Sequence, residues 1–198
     1  MKRFIVLAAT ACAVVCVTAV VADAEGGKLK CFADSPATCT ANSATSATLD
    51  TTGGGDAGVY LTNGKGTGGD SLDSVDFSFT YFCAKTTDLS SCTSGGAPRW
   101  SIPINTGGDP KDTQQVYAFL DAPNCLSNGT VPSGGALTVS TTAATCPVFL
   151  NIGGSWASWD EFAAANPSFT IANALPFVIA DVTTGGQIII SDVDSTRS

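Results

Sequence analysis

The chain has 198 residues, nine basic against seventeen acidic, a net charge of −8, eight cysteines and no histidine. That balance repels phosphate backbones and anionic bilayers, so nucleic-acid and lipid-surface binding are excluded. Without histidine there is no Ser–His–Asp triad, no Cys–His pair and no zinc site of the usual Cys/His kind.

Residues 1–24 read as a secretory signal peptide. Lys2 and Arg3 give a positive start, residues 4–22 form an uncharged apolar run, and Ala22-Asp23-Ala24 matches the cleavage pattern. A retained N-terminal anchor is the alternative, because the run approaches bilayer length. Cleavage removes Lys2, Arg3 and Asp23, which moves the net charge from −8 to −9. It leaves residues 25–198 as one domain, able to bury about 70% of its surface and holding no further membrane-spanning stretch. Six cysteines remain, an even number that fits disulfides in an exported protein. The expected pairs are the local ones, Cys31–Cys39, Cys83–Cys92 and Cys125–Cys146. Each contributes about 2.5–3.5 kcal/mol in the loop-entropy model. Asn128-Gly129-Thr130 is a glycosylation sequon, which matters in a eukaryotic host.

Residues 29–33 predict a first strand. A tract of small residues follows over 35–56, with short strands predicted at 47–49 and 59–61. Between 75 and 83, Val75, Phe77, Phe79, Tyr81 and Cys83 recur with a period of two, as a strand burying one face requires. Trp100, Ile102 and Ile104 repeat the alternation over 98–105. With Cys83 and Cys92 between them, the two stretches read as one long aromatic arm flooring a core. Further strands are predicted at 115–120, 136–140 and 147–152. The one clear helix covers 158–165, opened by the capping box Ser158/Glu161 and closed by Asn166-Pro167. Strands at 177–182 and 187–193, joined by Thr183-Thr184-Gly185-Gly186, complete the chain. Many short strands, frequent Gly/Pro punctuation and one brief helix predict an all-β fold, an antiparallel β-sandwich.

The aromatic stretch at 75–81, the strand at 100–104 and the final Gln187-Ile-Ile-Ile-Ser-Asp-Val193 carry a resemblance across most of residues 29–193. The chain resembles secreted jelly-roll β-sandwich modules of the carbohydrate-binding kind. It is also similar in style to uncharacterised secreted bacterial proteins that share this order of elements. The resemblance implies a jelly-roll-like sandwich with a sugar-binding face or loop rim, in some cases with a structural calcium ion.

Sugar binding uses flat rings, and the candidate platforms are Trp156, Trp159, Tyr60 and Tyr117. Trp156 and Trp159 are three apart at the helix start and could share one surface. Trp159 and Phe162 have the same spacing, which suits a helix packed as a lid. Calcium would need several oxygens, offered by Asp70, Asp73 and Asp76 and by Asp192 and Asp194; no other cofactor is implied. Gly153-Gly154-Ser155-Trp156-Ala157 superficially matches a nucleophile elbow, but no base accompanies it and a tight turn explains it. Asp76, Asp121, Asp160, Glu161 and Asp181 are the carboxylates available for acid–base work, with Asp160 and Glu161 already explained by the helix dipole. Scattered threonines show no fixed repeat, against an ice-binding array. The leading expectation is a secreted, non-catalytic module recognising an extracellular polymer, foremost polysaccharide. A structural or adhesive cell-surface protein is second, and a carboxylate-dependent glycan hydrolase third.

Overall fold

The structure is a computed structural model, and it describes residues 29–62, 68–85, 98–107, 115–125, 136–181 and 186–197. The strands are β1 (Leu29–Ala33), β2 (Thr38–Ser43), β3 (Ser46–Asp50), β4 (Ala57–Leu61), β5 (Val75–Lys85), β6 (Arg99–Asn105), β7 (Val116–Asp121), β8 (Leu137–Ser140), β9 (Val148–Leu150), β10 (Ser155–Trp156), β11 (Thr170–Ile171), β12 (Phe177–Ala180) and β13 (Gln187–Arg197). Two helices accompany them, the single turn α1 (Ala122–Cys125) and the longer α2 (Trp159–Ala165).

All described pairings are antiparallel, and the strands form two sheets. The larger has eight strands in the order β1-β4-β12-β6-β7-β9-β10, with β11 beside β6. The smaller has five, in the order β2-β3-β13-β5-β8. The chain crosses repeatedly from one sheet to the other, which makes the fold an antiparallel β-sandwich.

The core lies where the apolar faces of the two sheets meet. Val75, Phe77, Phe79 and Tyr81 of β5 are at most 1% exposed, and Trp100, Ile102 and Ile104 of β6 face them. Trp100 meets Phe77 and Phe79 edge-on, at centroid distances of 5.5 and 5.9 Å. The expectation of one continuous arm is therefore corrected: its halves sit in opposite sheets, joined by packing rather than by a ladder. The two final strands are separated in the same way, β12 in the larger sheet and β13 in the smaller. Strand β2 arises within the small-residue tract, where Thr38 and Thr40 pair with Asp50 and Thr48.

Helix α2 forms as its capping residues dictate. The Ser158 hydroxyl accepts the Glu161 N–H at 3.2 Å, while the Glu161 carboxylate accepts the Ala157 N–H at 2.9 Å. The disulfide Cys31–Cys39 joins β1 to β2 and so staples one sheet to the other. Cys125–Cys146 ties α1 to the segment before β9. Cys83 is also disulfide-bonded. Its expected partner Cys92 lies outside the described residues, as do the predicted signal peptide and Asn128. No helix among the described residues is long and apolar enough to cross a membrane.

One buried polar atom yields a stability prediction. The Tyr81 hydroxyl has no hydrogen-bond partner among the described residues, and burial pushes its pKa up to about 12. A pKa raised in the folded state means that neutral Tyr81 supports folding below the ordinary phenol value, about 10, and that this support is lost as pH rises towards 12. Tyr81→Phe should therefore be neutral or stabilising by about 1 kcal/mol at pH 7. It should also delay alkaline unfolding, as followed by circular dichroism between pH 9 and 12.

Candidate functional site

Alternation along each strand sends every second residue of the larger sheet away from the core. Register then assembles these outward residues into one surface. Tyr60 stands opposite Phe177, Phe177 opposite Ser101, and Ser101 opposite Phe119, while Tyr117 lies opposite Pro103. Phe32 on β1 and Phe149 on β9 extend the same face to its flanks.

The six rings are half-buried. Phe32 leans on Tyr60 at 4.7 Å, Tyr60 on Phe177 at 5.5 Å, and Phe177 on Tyr117 at 5.5 Å. Tyr117 and Phe119 are almost parallel, 12° apart with centroids 6.5 Å from each other, so they form the flattest part of the surface. Gly58 allows the row to lie low, because a Cβ there would fall 2.4 Å from the Phe32 ring. Burial, and then the neighbouring Tyr60, hold the Tyr117 phenol above its ordinary pKa.

Beyond Phe119 the face becomes polar. Arg99 stands opposite Asp121 in the ladder, lies over the Phe119 ring at 4.9 Å and bonds Asp181 at 2.6 Å. Asn124 donates to Asp121 at 3.2 Å. Burial raises the pKa of both carboxyls, Arg99 opposes the rise, and Asp56 adds to it at Asp181. Oδ1 of Asp121 and Oδ1 of Asp181 are buried without a hydrogen-bond partner among the described residues. So is the hydroxyl of Ser101, a fully buried residue at the centre of the face between Phe177 and Phe119.

Of the four predicted platforms, Tyr60 and Tyr117 come together on this surface. Trp159 does not join them. Its expected role as a platform is corrected by its burial: it is 2% exposed, with Phe77 at 6.3 Å, Phe162 at 5.3 Å, and its indole N–H donated to the Leu72 carbonyl at 2.7 Å. Trp156 is half-buried against Phe162, with centroids 4.8 Å apart, so both tryptophans belong to the α2 lid.

The acidic residues expected at a calcium site are dispersed. Asp70 receives two bonds from Arg197, at 2.8 and 3.2 Å. Asp73 sits in the 3-10 turn before β5, and Asp76 lies on β5 itself. A bulge in β13 separates Asp192, bonded to Ser191 at 3.1 Å with φ of 52°, from Asp194 opposite Ser78. Among the described residues no group of three or more Asp, Glu or Cys could hold a metal ion. Ser155 belongs to the edge strand β10, paired with Phe149, rather than to a strand–turn–helix elbow.

Sequence reasoning missed Phe32, Phe119, Phe177, Phe149 and Arg99 as members of one surface. The available signal was that Phe32, Tyr60, Tyr117 and Phe119 each alternate with a smaller side chain within a short strand. No protein-family model and no curated protein matches the chain. A Bacteroides thetaiotaomicron VPI-5482 protein, crystallised as a candidate sugar-binding protein, aligns with 85% of this chain and 87% of its own, at 12% identity and a TM-score of 0.37.

Proposed function

We propose that this is an exported, non-catalytic module that binds polysaccharide on the outer face of its larger sheet. The observation that carries the reading is the contact row Phe32, Tyr60, Phe177 and Tyr117, continued by Phe119. Rings of this kind pack against the C–H faces of pyranoses and keep a polar handle at each tyrosine. Five neighbouring strands, β1, β4, β12, β6 and β7, separate the ends of the row, about 19 Å at the usual strand spacing. That length suits an extended chain of sugar units better than a single small molecule. Sequence features agree: a predicted signal peptide, and disulfides that persist in oxidising compartments.

The test is depletion of the purified processed protein from solution by a panel of insoluble polysaccharides. The expected result is saturable loss to at least one polymer, reversed by its soluble oligosaccharide. No depletion by any of them overturns the reading in favour of a structural or adhesive role. Asp121 and Asp181, two carboxyls with raised pKa on the same face, are the specific observation favouring a glycan hydrolase. Release of soluble sugar from the same panel, abolished by Asp121→Asn, would establish that activity instead.

A further inference from the structure

Resting on the polysaccharide reading, we infer that the polar end of the face, Asp121 and Asp181 around Arg99 with Ser101 beside them, receives the protonated amine of an amino sugar. The bound polymer then carries free amino groups, as in a β-linked glucosamine chain.

Three features support the assignment. First, the cluster sets two carboxyls against one guanidinium, and a third carboxyl, Asp56, lies close enough to act on Asp181. Arg99 is engaged by Asp181 and by the Phe119 ring, which opposes its use as an anion receptor. Second, one oxygen of each carboxyl is buried and lacks a donor among the described residues. A desolvated carboxyl oxygen without a donor is costly, and an ammonium supplies three donors together with the compensating charge. Third, the Ser101 hydroxyl is fully buried and unpartnered on the same face, outside the acidic group. It faces outward because its neighbours Trp100 and Ile102 face the core. Register sets it between Phe177 and Phe119, beside the rings on which the adjoining sugar unit stacks. The face also has a cationic flank, since Lys30 stands opposite Tyr60, but that is the far end of the row. A chain of net charge −8 further favours the approach of a polycation.

The experiment titrates the processed protein with three β-1,4 oligosaccharides of equal length that differ only at C2: free amine, N-acetyl and hydroxyl. Calorimetry at low and at raised salt reads the affinities. The free-amine ligand is expected to bind about tenfold more tightly than the other two, with the advantage shrinking in salt. Asp121→Asn and Asp181→Asn should each erase that advantage, so that the free-amine and hydroxyl ligands bind alike, with thermal melts confirming the fold. Equal affinity for all three ligands, or a preference that survives both substitutions, overturns the inference but leaves the polysaccharide reading standing. Failure of all three ligands, together with no depletion by the polymer panel, overturns both.

Discussion

Replacing Tyr60 and Tyr117 together by alanine is expected to abolish depletion by the target polysaccharide and to leave a folded protein. These rings contact Phe177 from opposite sides, so the double change removes the middle of the row and leaves Phe177 only its edge contact with Phe32 at 5.8 Å. Aromatic anchors of this kind carry about 2–4 kcal/mol of binding between them, a loss on the order of 30- to 1,000-fold. Both are half-buried on the outer surface, so the stability cost should be about 1–2 kcal/mol in total, well short of unfolding a domain of this size. Adsorption isotherms and thermal melts measured on the same preparations separate the two effects. Unchanged adsorption by a folded double variant would move the binding surface away from this face.

Trp159→Ala should have the largest effect on stability, about 3–5 kcal/mol in urea unfolding. The indole fills the space between α2 and β5, touching Phe77 on one side and Phe162 on the other. Its N–H satisfies the carbonyl of Leu72, so truncation opens a cavity and also strips a buried acceptor of its donor. Trp159→Phe keeps most of the packing and loses the bond, and should cost about 1–2 kcal/mol. Trp156→Ala, at a half-buried position, should fall below the Trp159→Ala loss. Neither tryptophan change should alter glycan affinity in protein that remains folded. A selective loss of adsorption in Trp156→Ala would return the binding surface to the lid.

The contrast between these experiments marks what the sequence could show. Strand positions were legible wherever one face is apolar and the other polar: Val75–Tyr81 alternates strictly, and its odd members are all buried. Helix α2 was legible because Ser158 and Glu161 satisfy backbone groups that lie next to them in sequence. The sheet to which each strand belongs was not legible, because that depends on partners far away in the chain. The same limit hid the site. Strand β12 reads Phe-Val-Ile-Ala, apolar on both faces, so nothing local says that Val178 turns inward and Phe177 outward. Ser101 is one small polar residue among many in the sequence, and only register places it between two rings. For Trp159, spacing from Trp156 and from Phe162 is identical, and only the depth of α2 against β5 decides between platform and lid.

The position of β13 also governs when the protein can fold. This strand lies between β3 and β5 in the smaller sheet, and Gln187 meets Asp50 across 137 residues of sequence. Neither neighbour has its full ladder until β13 has left the ribosome, and Ile188, Ile190 and Val193 are missing from the core until then. Such distant pairing makes folding slow, because the loop must close before any contact rewards it. A nascent chain of this topology therefore carries an open smaller sheet, with two strand edges unpaired, until residues 187–197 have emerged.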